Sequence, residues 1–192
     1  TNSTGVDPID FPAICANPTE YWIVATDAST GKPVYFPGSA MKQDDYRCIM
    51  ASCALPAACK PIEIDGKLYY DGGVTDAIPV QRALDDGCDK IVAILSKPRS
   101  FVKKPEGMRF LYSRMCRKFP NTVKALDNRH IMYGKCQKQL FDLEKEGKAF
   151  IFAPSNPPKM STYTMDREVE QQLYDLGMKD FHDGEAQLKT FL

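Results

Sequence analysis

Three observations predict an α/β fold with a mostly parallel sheet. Lys90-Ile91-Val92-Ala93-Ile94-Leu95 is a nearly continuous apolar run, the pattern of a strand covered on both faces. Just before it, Pro79 suits the first turn of a helix ending near Asp86, and Gly87 is a natural terminator. Before that helix, Leu68-Tyr69-Tyr70 reads as another strand, so residues 68–95 have the strand–helix–strand order of a layered fold with a crossover connection.

The elements follow in order. Residues 1–19 carry Gly5, Pro8, Pro12 and Pro18 with little periodicity and are expected to form an extended lead-in. Glu20 to Thr26 and Pro33 to Phe36 are rich in β-formers and predict two strands joined by a turn at residues 27–31, with Trp22 in the core. From Asp44 to Ala54, Tyr46, Ile49, Met50 and Cys53 recur at helical spacing. Leu55-Pro56 stops that helix, and Met50 and Cys53 should face the interior. Residues 60–64, Asp65-Gly66 and 68–70 read as a hairpin that delivers its last residue to Asp71.

After the strand at residues 90–95 comes a basic loop with Lys97, Arg99, Lys103 and Lys104. A helical stretch follows, carrying Met108, Phe110, Leu111 and Met115 beside Arg114, Arg117 and Lys118. Its first reading is a solvated face, and its alternative is recruitment to a membrane surface through residues 97–118. Residues 120–147 predict a long helix with Val123, Leu126, His130, Tyr133, Cys136, Leu140 and Leu143 along one stripe, His130 being a satisfied, partly buried imidazole. Ala149 to Phe152 is the last strand. Two helices, from Asp166 to a stop at Gly177 and from Asp183 to Leu192, close the chain.

Composition narrows the function. The chain has 192 residues, 43% of them hydrophobic, enough for one folded domain. Its 25 basic and 25 acidic residues cancel, which removes the broad electrostatic case for nucleic acid or an anionic membrane. No apolar run approaches the roughly 18 residues of a membrane span, so any membrane contact is at most peripheral. Seven cysteines (15, 48, 53, 59, 88, 116 and 136) without a CxxC pair, and only two histidines, argue against structural zinc and for reduced, mostly buried thiols in a cytoplasmic protein.

Asp71 is the candidate catalytic residue. It ends an apolar strand and precedes Gly72-Gly73 and a helix, the position where an α/β enzyme carries its chemistry on a loop held by a scaffold. A carboxylate there can activate a serine, yet Gly-x-Ser-x-Gly is missing. Ser3 and Ser29 are each followed two residues later by glycine but lack the first glycine, and Ser52 falls in a helix. Neither phosphate-binding glycine motif occurs. A two-carboxylate hydrolase built from Asp65, Asp71 and Asp76 is a weaker alternative, since Asp65 belongs to a turn and Asp76 can cap the helix near Pro79.

Ala51-Ser52-Cys53-Ala54-Leu55-Pro56, Ile64-Asp65-Gly66-Lys67-Leu68-Tyr69-Tyr70-Asp71-Gly72-Gly73-Val74 and Ile78-Pro79-Val80 together resemble the patatin-like phospholipase family in its bacterial form. Val24-Ala25-Thr26-Asp27 and Thr30-Gly31-Lys32-Pro33-Val34-Tyr35-Phe36 are similar to its paired strands ahead of the catalytic aspartate. Similarity is clearest over residues 20–96. The resemblance implies a three-layer α/β/α fold and a lipid acyl hydrolase working through a Ser-Asp dyad without metal or organic cofactor. Asp71 matches its aspartate, while the serine elbow and the glycine-rich oxyanion loop have no matching positions. Asp76 stands where many relatives carry asparagine and is given no catalytic role. With Thr1 in place of an initiating Met, the chain reads as the C-terminal part of such a protein, inactive alone. It is expected to expose an apolar sheet edge, and so either to be less stable than an ordinary domain of its size or to have that edge covered by a second copy or by the missing N-terminal segment. The alternative function is a non-enzymatic binding or assembly module on the same scaffold.

Overall fold

The computed structural model describes residues 8–158 and 166–192. In chain order the elements are α1 (Phe11–Ala16), β1 (Trp22–Asp27), β2 (Pro33–Pro37), α2 (Arg47–Ser52), β3 (Ile62–Ile64), β4 (Lys67–Asp71), α3 (Val80–Asp85), β5 (Ile91–Ile94), α4 (Arg109–Met115), α5 (Pro120–Lys145), β6 (Ala149–Phe152) and α6 (Arg167–Phe191). They fall into two compact units. The first extends to Pro79 and adds Lys104–Gly134, and the second comprises Val80–Lys103 and Lys135–Leu192.

The α/β class holds. In the first unit a four-stranded sheet has the order β2-β1-β4-β3, and all of its neighbours are antiparallel. Parallel pairing occurs between β5 and β6, in the second unit. The expected crossover between the strands at 68–70 and 90–95 is therefore not made, because β4 and β5 lie in different sheets.

Two local hairpins build the first sheet. The β1–β2 turn is tied by Asp27, whose Oδ1 accepts the amides of Ser29 and Thr30, each at 2.8 Å. This is an Asx turn, in which the side chain replaces a missing backbone partner. Asp65 (φ +49) and Gly66 (φ +75) turn β3 into β4, the left-handed pair that matches strand twist. The hairpins join along β1 and β4 over only three residue pairs, Ala25 with Asp71, Thr26 with Tyr70 and Asp27 with Tyr69. Against the sheet pack α2, through Cys48 and Ala51, and the start of α5, where the fully buried Thr122 donates its hydroxyl to the Ala28 carbonyl at 2.7 Å.

Several expectations are corrected. The lead-in is helical at residues 11–16, with Asp10 capping α1 through the Ala13 amide and Pro12 in the first turn. Helix α2 begins at Arg47 because Asp44 takes a left-handed φ of +59° that ends any continuous helix there. Its phase is also shifted, so Cys48 and Ala51 are buried while Met50 (56% exposed) and Cys53 face outward. Trp22 is 41% exposed, since β4 does not run alongside that end of β1. Of the seven thiols, Cys48 and Cys116 are buried and Cys136 is partly so, whereas Cys15, Cys53, Cys59 and Cys88 are exposed.

In the second unit the apolar run at residues 90–95 is not covered on both faces: Ile94 is 83% exposed and Val92 also faces out. One helix replaces the two expected at the C-terminus. Gly177 has open space around it and no left-handed φ, and Gly184 admits the Phe152 ring, whose Cε1 would lie 2.8 Å from a Cβ. Both glycines therefore stay within α6, and Gly184 serves close packing on β6.

Candidate functional site

Asp71 closes β4 and caps the 3-10 turn Gly72–Val74. Its Oδ1 accepts the Gly73 amide at 2.7 Å. Its own amide donates to the Ala54 carbonyl at 2.9 Å, and its carbonyl accepts the Thr26 hydroxyl at 2.8 Å. Thr26 is fully buried, and its Oγ1 also lies 2.9 Å from Thr75 Oγ1. The backbone of Asp71 is thus held from α2's exit loop on one side and from β1 on the other. Among the described residues, no hydrogen bond occupies Oδ2 of this half-buried carboxylate.

Gly72 is set by close packing. A Cβ there would lie 2.3 Å from the Val24 carbonyl oxygen and 2.5 Å from its carbon, so the turn after Asp71 rests directly on the end of β1 that β4 leaves uncovered. No left-handed φ is involved at Gly72 or Gly73. The close approach that Gly72 permits is to β1. Arg129 completes the arrangement from α5, donating Nε to the Gly73 carbonyl at 2.7 Å and Nη1 to Glu106 at 3.0 Å.

Beside this turn is an open cavity of about 420 Å³ lined by Trp22, Val24, Ile49, Ser52, Gly72 and Gly73, among others. Ser52 therefore sits near the Asp-Gly-Gly turn, but in the last turn of a helix and not at a strand-to-helix elbow. Ser29 lies in the β1–β2 turn, where its carbonyl is bound by Asn121, and Ser3 is outside the described residues. The two-carboxylate alternative loses Asp65, which is at the opposite end of β4 from Asp71, roughly 13 Å or more away at strand rise. Asp76 lines the cavity and accepts the Tyr35 hydroxyl at 2.5 Å. His130 is partly buried as expected, but its Nδ1 is enclosed without a hydrogen-bond partner, so the imidazole is not satisfied.

Arg129 and Thr26 escaped the sequence reading. Arg129 reaches Gly73 from 56 positions away, a contact no local pattern announces. Thr26 carried a weak signal, a β-branched hydroxyl within an otherwise apolar strand. Among the described residues no group of three or more His, Cys, Asp or Glu side chains could hold a metal ion, and no helix is long and apolar enough to cross a membrane.

Residues 8–84 match the patatin-like phospholipase family, and residues 119–192 match a domain of unknown function, DUF6363. An uncharacterized NTE family protein of Mycobacterium bovis and another of Mycobacterium tuberculosis are each 35% identical over 77 residues, covering 40% of this chain and 20% of the relative. The uncharacterized protein YjjU of Escherichia coli is 32% identical over 91 residues, covering 40% of this chain and 25% of its own length. The chain thus matches well under two thirds of each relative.

Proposed function

We propose, from the premise that residues 8–84 are a patatin-like phospholipase segment, that this chain supplies the aspartate of a lipid ester hydrolase's Ser-Asp dyad. The observation that carries the reading is the half-used carboxylate of Asp71: Oδ1 is pinned by the Gly73 amide while Oδ2 carries no hydrogen bond among the described residues. A fixed carboxylate with one open oxygen can take a proton from a serine hydroxyl as it attacks an ester carbonyl, then return it to the departing alkoxide. Thr26 and the Ala54 carbonyl hold the Asp71 backbone, and Arg129 holds the Gly73 carbonyl, so the base keeps its aim. On this reading the nucleophile comes from outside residues 1–192, since no serine here stands in a Gly-x-Ser-x-Gly elbow motif. The substrate is a lipid or similar carboxylic ester, and the chain alone is inert toward it.

The test is ester turnover by a longer protein containing this chain. Asp71→Asn should lower kcat by about 10²-fold or more with the fold retained, because an amide cannot accept the proton. Turnover by residues 1–192 alone, abolished by Ser52→Ala or Ser29→Ala, would refute the external nucleophile. A second reading, a binding or assembly module, draws on the same Asp71–Gly73 bond, which also serves as a structural cap. On that reading Asp71→Asn weakens stability and leaves turnover unchanged.

A further inference from the structure

The first unit exposes two apolar surfaces of different character. One lies around Trp22, Ile49 and Met50. The other surface is the outward side of α4 and its flanks, where Phe110 is 80% exposed, Met108 73% and Met115 54%, with Leu111 beside them. Tyr112 and Cys116 occupy the opposite, buried side. Within α4, Phe110, Leu111, Arg114 and Met115 recur at the spacing of a single helical face, and Arg117 and Lys118 follow in the turn after it, so cations accompany the large apolar groups.

The charges decide what such a face fits. Lys104, Arg114, Arg117 and Lys118 are exposed and form no ion pair or hydrogen bond among the described residues. The nearby acids are already engaged, Asp127 by Arg109 and Tyr112, and Glu106 by Arg129. Burying this face against a protein core would strip water from four unpaired cations, a cost of several kcal/mol per ion. At a lipid headgroup layer the same side chains keep their charge among phosphates while the aromatic and methionine groups enter the acyl boundary.

We propose that this α4 face is a peripheral docking surface for an anionic lipid bilayer. The cations supply local attraction that the chain's zero net charge conceals, and Phe110, Leu111 and Met115 supply the inserted apolar area. Arg129, bridging Glu106 just before α4 to Gly73, lies between this face and the turn after Asp71. The proposal concerns binding only and does not depend on ester hydrolysis.

Co-sedimentation of the full chain with vesicles tests it. Vesicles of 70:30 phosphatidylcholine:phosphatidylglycerol should bind the chain, and pure phosphatidylcholine should bind it far more weakly. Each neutralisation among Lys104→Gln, Arg114→Gln, Arg117→Gln and Lys118→Gln should weaken binding about fivefold, and 1 M salt should suppress it. Phe110→Asp, at an exposed position that the fold does not need, should weaken binding about tenfold or more with an unchanged circular dichroism spectrum. Absence of binding to either vesicle, equal binding to both, or binding indifferent to these variants overturns the proposal. So does concentration-dependent self-association abolished by Phe110→Asp without vesicle binding, which would assign the face to a second copy.

Discussion

Replacing Gly72 with alanine tests the packing that sets Asp71 in place. The new Cβ would stand 2.3 Å from the Val24 carbonyl oxygen, 2.5 Å from its carbon and 2.9 Å from Val24 Cβ. An ordinary carbon–oxygen approach is about 3.3 Å, so the turn and the strand must separate by about 1 Å. The obstacle is backbone in a strand already paired with β2, so it cannot rotate away. Forced overpacking costs about 1–3 kcal/mol, and a rigid neighbour puts this site in the upper part of that range. At about 2–4 °C per kcal/mol for a chain of this size, the melting temperature should fall by roughly 4–12 °C. Thermal unfolding followed by circular dichroism reads this directly, with two controls. Gly66→Ala has open space but a φ of +75° and should cost about 1 kcal/mol. Gly134→Ala, within α5 and unobstructed, should be neutral or stabilising by up to about 1 kcal/mol. A Gly72→Ala variant melting within about 1 °C of the parent, or less destabilised than Gly66→Ala, would refute the argument.

Other outcomes follow from the same geometry. Thr26→Val removes the hydroxyl that binds the Asp71 carbonyl and meets Thr75, and urea unfolding should record a loss of about 1–3 kcal/mol, with Thr26→Ser retaining more. Arg109 and then Tyr112 hold the Asp127 carboxyl below the usual carboxylate range, so its contribution is present above the unfolded value and is lost as pH falls through the folded one. Burial, with the Asp127 hydrogen bond adding to it, pushes the Tyr112 phenol up to about 12. Because the folded state keeps that proton longer, stability should fall as pH rises from about 10, and the difference between parent and Tyr112→Phe melts should change over that alkaline range. A flat difference would contradict it. A thiol reagent should modify Cys15, Cys53, Cys59 and Cys88 rapidly and the buried Cys48 and Cys116 only on unfolding, as mass mapping can establish.

The legible features were local ones. Both hairpins, the turn residues Asp27 and Asp65-Gly66, the long α5 stripe and the emergence of Asp71 from a strand end all depend on residues close in sequence. Misreadings arose where distant partners decide. Whether Ile94 is covered depends on what lies over β5, and periodicity cannot report that. Met50 and Cys53 belong to an apolar series that runs round more than one side of the helix, and packing on the sheet selects the side of Cys48 and Ala51. Gly177 looks like a stop to a local rule, but it is an unobstructed glycine within α6. At the site, Asp71 and its glycines were visible. Arg129, which binds Gly73 from a helix 56 residues on, was not.

The three-pair seam between the hairpins also bears on how the chain folds. Each hairpin closes over a few residues and can form within microseconds, whereas the seam joins distant positions such as Ala25 and Asp71, and must wait for a longer loop to close. Until it does, Asp71 has a place in its own hairpin but no fixed direction in the molecule. A slip of one residue would turn its side chain to the opposite face of the sheet. The buried Thr26 hydroxyl donates to the Asp71 carbonyl in the native alignment, and a slip that left it unpaired would cost the desolvation of a buried polar group.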